Sequence, residues 1–309
     1  MNRNINKRFD PGTHYAGAMQ APPATTHHVK RRYLDIPYAR LSMAQMLDIY
    51  LPDEGTGPFP VILSIHGGAF MGCDKSDMQV LPMLEGLQRG YAVIALNYRL
   101  SWEATFPALV QDAKAAVRWI RANADWFYLD RQRIAAWGGS AGGYLATMLG
   151  VSAGIPELED LSLGNPHQPC HVQAVVAWYG PTNFLKMDEQ LAANGLAPLP
   201  GTEHSGADSP ESWLLGGKVT EIPALVRAAN PETYIRADAA PFLIQHGTAD
   251  PVVPVQQSIG LAENMKRICG EDRAILELFE GFEHGDRRFD SPANVKRVLD
   301  FLDQHLKSA

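Results

Sequence analysis

Cysteine is scarce in this chain. Its 309 residues hold three, Cys73, Cys170 and Cys269, odd in number and widely scattered. They build no disulfide framework and point to a reducing compartment. No apolar run reaches the roughly 18 residues of a membrane-spanning helix. The stretch from Met1 to Pro23 carries Arg3, Lys7 and Arg8 without an apolar core behind them, so it does not read as a secretory signal, and a cytoplasmic location is expected. No stripe of lysine and arginine interrupts a net charge of -7, which weighs against nucleic acid as a partner. The ten histidines fall into no metal-ligand spacing: His27 and His28 are adjacent, and His167 and His171 stand in a proline-containing loop without nearby carboxylates. No metal and no cofactor are therefore expected. Neither an internal repeat nor a low-complexity linker divides the chain.

What is present is a strand and helix alternation. With 46% hydrophobic and 20% charged residues, the composition suits one large α/β domain as well as two small ones. Residues Tyr33 to Tyr38 and Met46 to Leu51 alternate like antiparallel strands at a sheet edge. Val61 to Ile65 and Tyr91 to Asn97 are continuous apolar runs, as in central parallel strands covered on both faces. Phe106 to Ala124 has apolar residues at helical spacing. Arg133 to Trp137, Val172 to Tyr179, Pro241 to Gly247 and Ile275 to Phe279 read as further strands. Tyr144 to Leu149 and Pro292 to Lys307 read as helices. The division expected is an amino-terminal arm, 1–31, flexible or folded into a cap, followed by a single domain, 32–309.

Within this alternation, Gly138-Gly139-Ser140-Ala141-Gly142 places a serine in G-x-S-x-G between a strand and a helix. A serine at so sharp a turn needs small neighbours two residues away on each side, so that strand and helix can approach. The helix start beneath it offers unpaired N–H groups to a developing negative charge. Upstream, His66-Gly67-Gly68-Ala69-Phe70 follows a buried strand, where backbone N–H groups can point at a carbonyl oxygen. Downstream, Asp250 sits on the turn after one strand and His284 on the turn after the next. The chain order Ser140, Asp250, His284 is the α/β-hydrolase order. The competing roles are a helix cap for Asp250, an ordinary loop position for His284, and Asp286 or Asp238 as alternative acids. His66 precedes the glycines and reads as a brace for the loop. Cys73 reads either as a pocket wall or as a small buried hydrophobe.

Residues 182–238, between the sixth and seventh strands, are too long for a plain crossover and read as a partial cap over the serine. Phe70, Phe184 and Trp213 are the candidate substrate contacts. The segments H-G-G-A-F, G-G-S-A-G-G, D-S-P-E-S-W-L-L-G-G, A-N-P-E-T-Y, H-G-T-A-D-P-V-V-P and G-F-E-H-G together resemble esterases related to the bifunctional feruloyl and acetyl-xylan esterases. That group is similar to hormone-sensitive-lipase-like esterases and to kynurenine formamidase. The likeness runs over about residues 33–307; the stretch up to Asp208 and the arm depart from it. It implies an α/β-hydrolase fold with a mostly parallel central sheet flanked by helices. It also implies a serine carboxylesterase acting on a small ester with a short acyl group, acetyl or feruloyl esters of plant carbohydrate included. By motif, Ser140 is the nucleophile, Asp250 the acid and His284 the base. Gly68, Ala69 and Ala141 supply the oxyanion N–H groups, and Gly67 makes the turn. An arylformamidase, amidase or peptidase using the same triad is the alternative. A binding protein on this scaffold would lack one of the three residues, and all are present. Monomer and homo-oligomer both stay open.

Overall fold

The computed structural model describes residues 20–196 and 203–307. Eight strands form one sheet: β1 Arg32–Pro37, β2 Met46–Tyr50, β3 Phe59–Ile65, β4 Ala92–Leu96, β5 Leu129–Gly139, β6 Ala174–Trp178, β7 Phe242–Gly247 and β8 Ala274–Phe279. Their spatial order is β1-β2-β4-β3-β5-β6-β7-β8. The first two pairings, β1 with β2 and β2 with β4, are antiparallel, and every later pairing is parallel. The helices are α1 Leu81–Leu84, α2 Ala108–Ala122, α3 Ala141–Val151, α4 Met187–Ala193, α5 Pro210–Leu215, α6 Pro223–Ala229, α7 Gln256–Cys269 and α8 Pro292–Leu306. Among the described residues no helix is long and apolar enough to cross a membrane.

The period-two geometry of a strand explains why the central strands read as unbroken apolar runs. Along β3, Val61, Leu63 and Ile65 join the core on one face, with Leu109, Val117 and Ile120 of α2 and Leu145 of α3. Ile62 points the other way, into a second core with Val298, Leu299 and Leu302 of α8. The expected helix after Phe106 begins at Ala108, just past Pro107. Its polar face is not solvated, contrary to what an amphipathic pattern suggests. Asp112 is buried against Arg99, and Lys114, Arg118 and Arg121 donate to the carbonyls of Ser152 (2.5 Å), Asp160 (2.7 Å) and His171 (2.7 Å). The chain that follows α3 covers this face and offers its cations backbone oxygens, with the Glu159 carboxylate close to Lys114 and Arg118.

The long insertion does fall between β6 and β7, and α4, α5 and α6 lie in it. Residues 197–202 of the expected cap lie outside the described residues, as do 1–19 of the arm. The rest of the insertion packs on α3 and α7 and contributes nothing to the cleft beside Ser140. Phe184, Met187, Leu214 and Leu215 turn their apolar surface into the main core, and Tyr144 Oη donates to the Ala229 carbonyl (2.8 Å). The described end of the arm follows the cleft rim instead: Met78 N donates to Pro22 O (2.7 Å) and Ala24 N to Ser76 O (2.8 Å).

One buried ion pair ties the insertion to the loop after β7. His204 Nδ1 lies 3.1 Å from Glu211 Oε1, and its Nε2 lies 2.8 Å from the Val252 carbonyl. Burial opposes the charge on His204, but the attraction of Glu211, helped by Val252 O and Asp188, outweighs it and pushes the pKa from 6.5 up to about 9. A pKa raised by folding stabilises fully below the unfolded value and is lost as pH climbs through the folded one. The melting temperature is therefore expected to fall by several degrees between about pH 6.5 and 9. The fall should be clearly smaller in His204→Gln, and parallel pH curves for the two proteins would remove the pair as its source.

Candidate active site

Ser140 stands between β5 and α3 with φ 56° and ψ -125°, a conformation rarely adopted by a residue with a side chain. It is held there by hydrogen bonds from its own N–H to the Trp178 carbonyl (2.9 Å) and from Tyr144 N to its carbonyl (3.0 Å). The glycines two residues away are required by contact. A Cβ on Gly138 would lie 2.5 Å from Gly142 backbone atoms, and one on Gly142 would lie 2.0 Å from Ile65 O.

This turn brings together three of the residues singled out in the sequence. His284 Nε2 lies 3.0 Å from Ser140 Oγ, and His284 Nδ1 lies 2.8 Å from Asp250 Oδ2. Facing a carboxylate, Nδ1 carries the hydrogen, which leaves Nε2 free to accept from the serine hydroxyl. Asp250 is almost wholly buried, and its Oδ1 accepts from Val252 N and Val253 N, both at 2.8 Å. It thus orders its own loop rather than capping α7. Burial pushes its carboxyl up, but His284 and the hydrogen bonds from His246 and His284 prevail and hold it well below the usual carboxylate range. The alternative acids stand elsewhere. Asp286 pairs with Arg288, and Asp238 pairs with Arg236 on the exposed surface.

The glycine loop after β3 has its own brace. His66, buried and kept neutral by burial, places Nδ1 2.8 Å from Gly67 O and stacks on Tyr98 at 4.6 Å. Gly67 N is committed to Gln79 Oε1 (2.8 Å), so Gly67 shapes the loop while its N–H is already used. Among the described residues, the N–H groups of Gly68, Ala69 and Ala141 have no protein acceptor. Positive φ at Gly68 (106°), Ala69 (51°) and Phe70 (66°) curls this loop back towards the serine. Losing the Gln79 anchor should loosen it. Gln79→Leu leaves the buried Gly67 N–H without its acceptor and is expected to lower the melting temperature by a few degrees, the equivalent of about 1–3 kcal/mol. A wild-type melting temperature would show that the loop keeps its shape without the side chain.

A cleft of about 500 Å³ opens at Ser140 and His284, at the carboxyl ends of the parallel strands. Its walls include Gln20 and Ala21 of the arm, Met78, Gln79, Trp178, Tyr179 and the segment after His284. A larger hollow of about 730 Å³ lies at the opposite end of β3, around Phe59 and Pro60, away from this chemistry. Cys73 lines the cleft, and burial with the nearby Asp77 pushes its thiol up to about 11, so it stays protonated. None of the three expected substrate contacts lines this cleft. Phe70 and Phe184 are buried, 6.1 Å apart and each against Tyr144, because their apolar rings gain more from the core than from the cleft. Trp213 is half-buried on α5 and is not part of the cleft wall. Sequence reasoning missed Gln79, Tyr179 and His246. Tyr179 presents its ring edge-on to His284 at 4.9 Å and its hydroxyl over Gly139, where a Cβ would come within 2.8 Å. The only local signal for His246 was its place four residues before Asp250.

A mostly parallel sheet flanked by helices, with a strained serine at a strand-to-helix turn, defines the α/β-hydrolase fold. Within it, this chain belongs to the BD-FAE family, which it matches over residues 47–265. It is 31% identical over 247 residues to the probable carboxylic ester hydrolase LipM of Mycobacterium tuberculosis, covering 79% of this chain and 54% of LipM. It is also 31% identical over 302 residues to esterase LipQ of the same organism, covering 93% of this chain and 66% of LipQ. The chain therefore spans about half to two thirds of these curated relatives. Among solved structures, it is similar to a truncated carbohydrate esterase from gut microbiota, with TM-score 0.81 and 30% identity over 93% of this chain and 100% of that one. It is likewise similar to a bifunctional GH43-CE protein of Bacteroides eggerthii, with TM-score 0.78 and 32% identity over 89% of this chain and 35% of that one.

Proposed function

We propose that this protein is a serine carboxylic ester hydrolase acting on short acyl esters through an acyl-enzyme. The observation that carries the reading is the unbroken hydrogen-bond path Ser140–His284–Asp250 beside backbone N–H groups without acceptors. His284 takes the proton of Ser140 as Oγ attacks the ester carbonyl, and Asp250 holds the imidazole in its tautomer and stabilises the cation. The N–H groups of Gly68, Ala69 and Ala141 receive the oxyanion, each donor lowering the barrier by roughly 3 kcal/mol. His284 then gives its proton to the departing alkoxide. Water, activated in turn by His284, attacks the acyl-enzyme, and collapse of the second tetrahedral intermediate frees the acid and restores Ser140.

The acyl group is short in this reading, acetyl or feruloyl esters of carbohydrate included. Supporting it are the small cleft, the polar groups of Gln20, Gln79 and Asp286 set among its otherwise largely apolar walls, and the carbohydrate-esterase name of a similar structure. Hydrolysis measured across p-nitrophenyl acetate, butyrate, octanoate and laurate, methyl ferulate, acetylated xylo-oligosaccharide and N-formylkynurenine tests it. Acetate and butyrate are expected to exceed laurate by at least about 100-fold in kcat/KM, the equivalent of about 2.7 kcal/mol of discrimination or more. Activity confined to N-formylkynurenine would assign the same triad to a formamide instead.

A further inference from the structure

We infer that the active centre extends beyond the triad: His246 and Ser258 are positioning residues that hold the Asp250 carboxylate from behind through a second imidazole. The catalytic consequence rests on the serine-hydrolase reading above; the geometry does not. His246 comes from β7 and is wholly buried, with Nε2 3.2 Å from Asp250 Oδ2 and 2.9 Å from the Val253 carbonyl. Its Nδ1 lies 2.7 Å from Ser258 Oγ on α7. Nε2 thus faces two acceptors and carries the hydrogen. Nδ1 is then bare, and the Ser258 hydroxyl donates to it.

The carboxylate consequently accepts four hydrogen bonds. Oδ1 takes the N–H groups of Val252 and Val253, while Oδ2 is shared by His284 and His246. Two imidazoles meet on one oxygen, one facing the serine and one facing the core. A buried imidazole is costly unless its nitrogens are satisfied, and a leucine would fill the same space without that demand. All of its partners lie on the Asp250 loop or on the helix that follows it, so its polar groups serve that loop. Among the described residues, the titratable side chains against it are Asp250, from the loop after β7, and Tyr179, just past β6, whose ring centroid lies 6.5 Å from that of His246. Its donated hydrogen bond fixes the direction of Oδ2, the oxygen whose negative charge the His284 cation needs. It also draws on that charge, which tempers the hold of Asp250 on the His284 proton.

Deleting this donor has a signature that a packing defect lacks. With the His246 hydrogen bond gone, Oδ2 concentrates its charge on His284 and holds the imidazolium proton more tightly. His246→Leu is expected to lower kcat about 10- to 100-fold, as loss of an orienting partner behind a site residue does elsewhere, with KM within about twofold. The acid limb of its kcat/KM–pH profile should move to higher pH. The low-field NMR proton between His284 and Asp250 should move further downfield, a readout that needs no turnover. His246→Gln, which keeps an N–H donor near Nε2, should restore both towards wild type, and Ser258→Ala should shift them in the same direction as the leucine but less. If His246→Leu does not fold, the glutamine and Ser258→Ala variants carry the test. A profile and a proton resonance left at wild-type positions in the folded variants would overturn the proposal and leave His246 a packing residue. Movement of the resonance in a protein that hydrolyses no ester would keep the positioning role and overturn the esterase reading alone.

Discussion

Ser140→Ala is expected to lower kcat on p-nitrophenyl acetate by about 10⁴- to 10⁶-fold, the range seen when a triad nucleophile is removed. Its melting temperature should stay within about 2 °C of wild type, because surface and half-buried polar changes of this size are usually worth less than 1 kcal/mol. Folded structure should change little: the hydroxyl makes one hydrogen bond, to His284 at 3.0 Å, while the strained turn is held by backbone bonds to Trp178 and Tyr144 that alanine keeps. The backbone N–H groups at Gly68, Ala69 and Ala141 would remain in place, so ester should still bind. Measured kcat and thermal melting on the same preparation separate chemistry from folding. Ester hydrolysis persisting in rigorously purified Ser140→Ala would sink the assignment.

Gly142→Ala should do the opposite, striking the fold first. The added methyl would sit 2.0 Å from Ile65 O and 2.8 Å from His66 O, backbone atoms of β3 and of the glycine loop. A flexible side chain could swing away; a strand carbonyl in the middle of a parallel sheet cannot. Either α3 moves off β3 or β3 shifts against β4 and β5, and both disturb Ser140 and the Gly68–Ala69 loop together. Overpacking a core usually costs about 1–3 kcal/mol, and a collision with backbone belongs at or above the top of that range. The urea midpoint should fall accordingly, with activity per folded molecule reduced at least about 100-fold by misplacement of the nucleophile. A variant with wild-type stability and activity would mean that helix and strand do not approach as closely as the Gly142–Ile65 contact requires.

The two variants touch neighbouring residues of one motif, yet the first reads chemistry and the second reads packing. That contrast matches what was legible in the chain. Strand order in sequence, the serine turn, and the placement of Asp250 and His284 on the turns after two successive strands are local signals. Apolar runs, glycines at tight turns and the residue that follows a strand are set by backbone sterics and short-range periodicity. The eight strands accordingly lie where the apolar runs place them, with β5 reaching further at both ends, from Leu129 to Gly139, than the run from Arg133 to Trp137 suggested.

Which side chains meet is a different matter, because it depends on elements far apart in the chain. The motif favours Asp250 as the acid, with Asp286 and Asp238 as alternatives. The pairing of β7 with β8 puts Asp250 against His284, while Asp286 and Asp238 pair with Arg288 and Arg236, each two residues away in the chain. Phe70 and Phe184 looked like pocket aromatics, but the approach of the β3 loop, α3 and the insertion buries both against Tyr144. The cations of α2 are buried because the chain after α3 lies over them. The sequence by itself determined the order of the elements and the residues able to do the chemistry, since local backbone preference and apolar periodicity suffice for both. Tertiary structure alone decided the partner of each residue, the walls of the cleft and the place of His246 behind Asp250, since a side chain's neighbours are set by the register and packing of strands and helices that are remote in the chain.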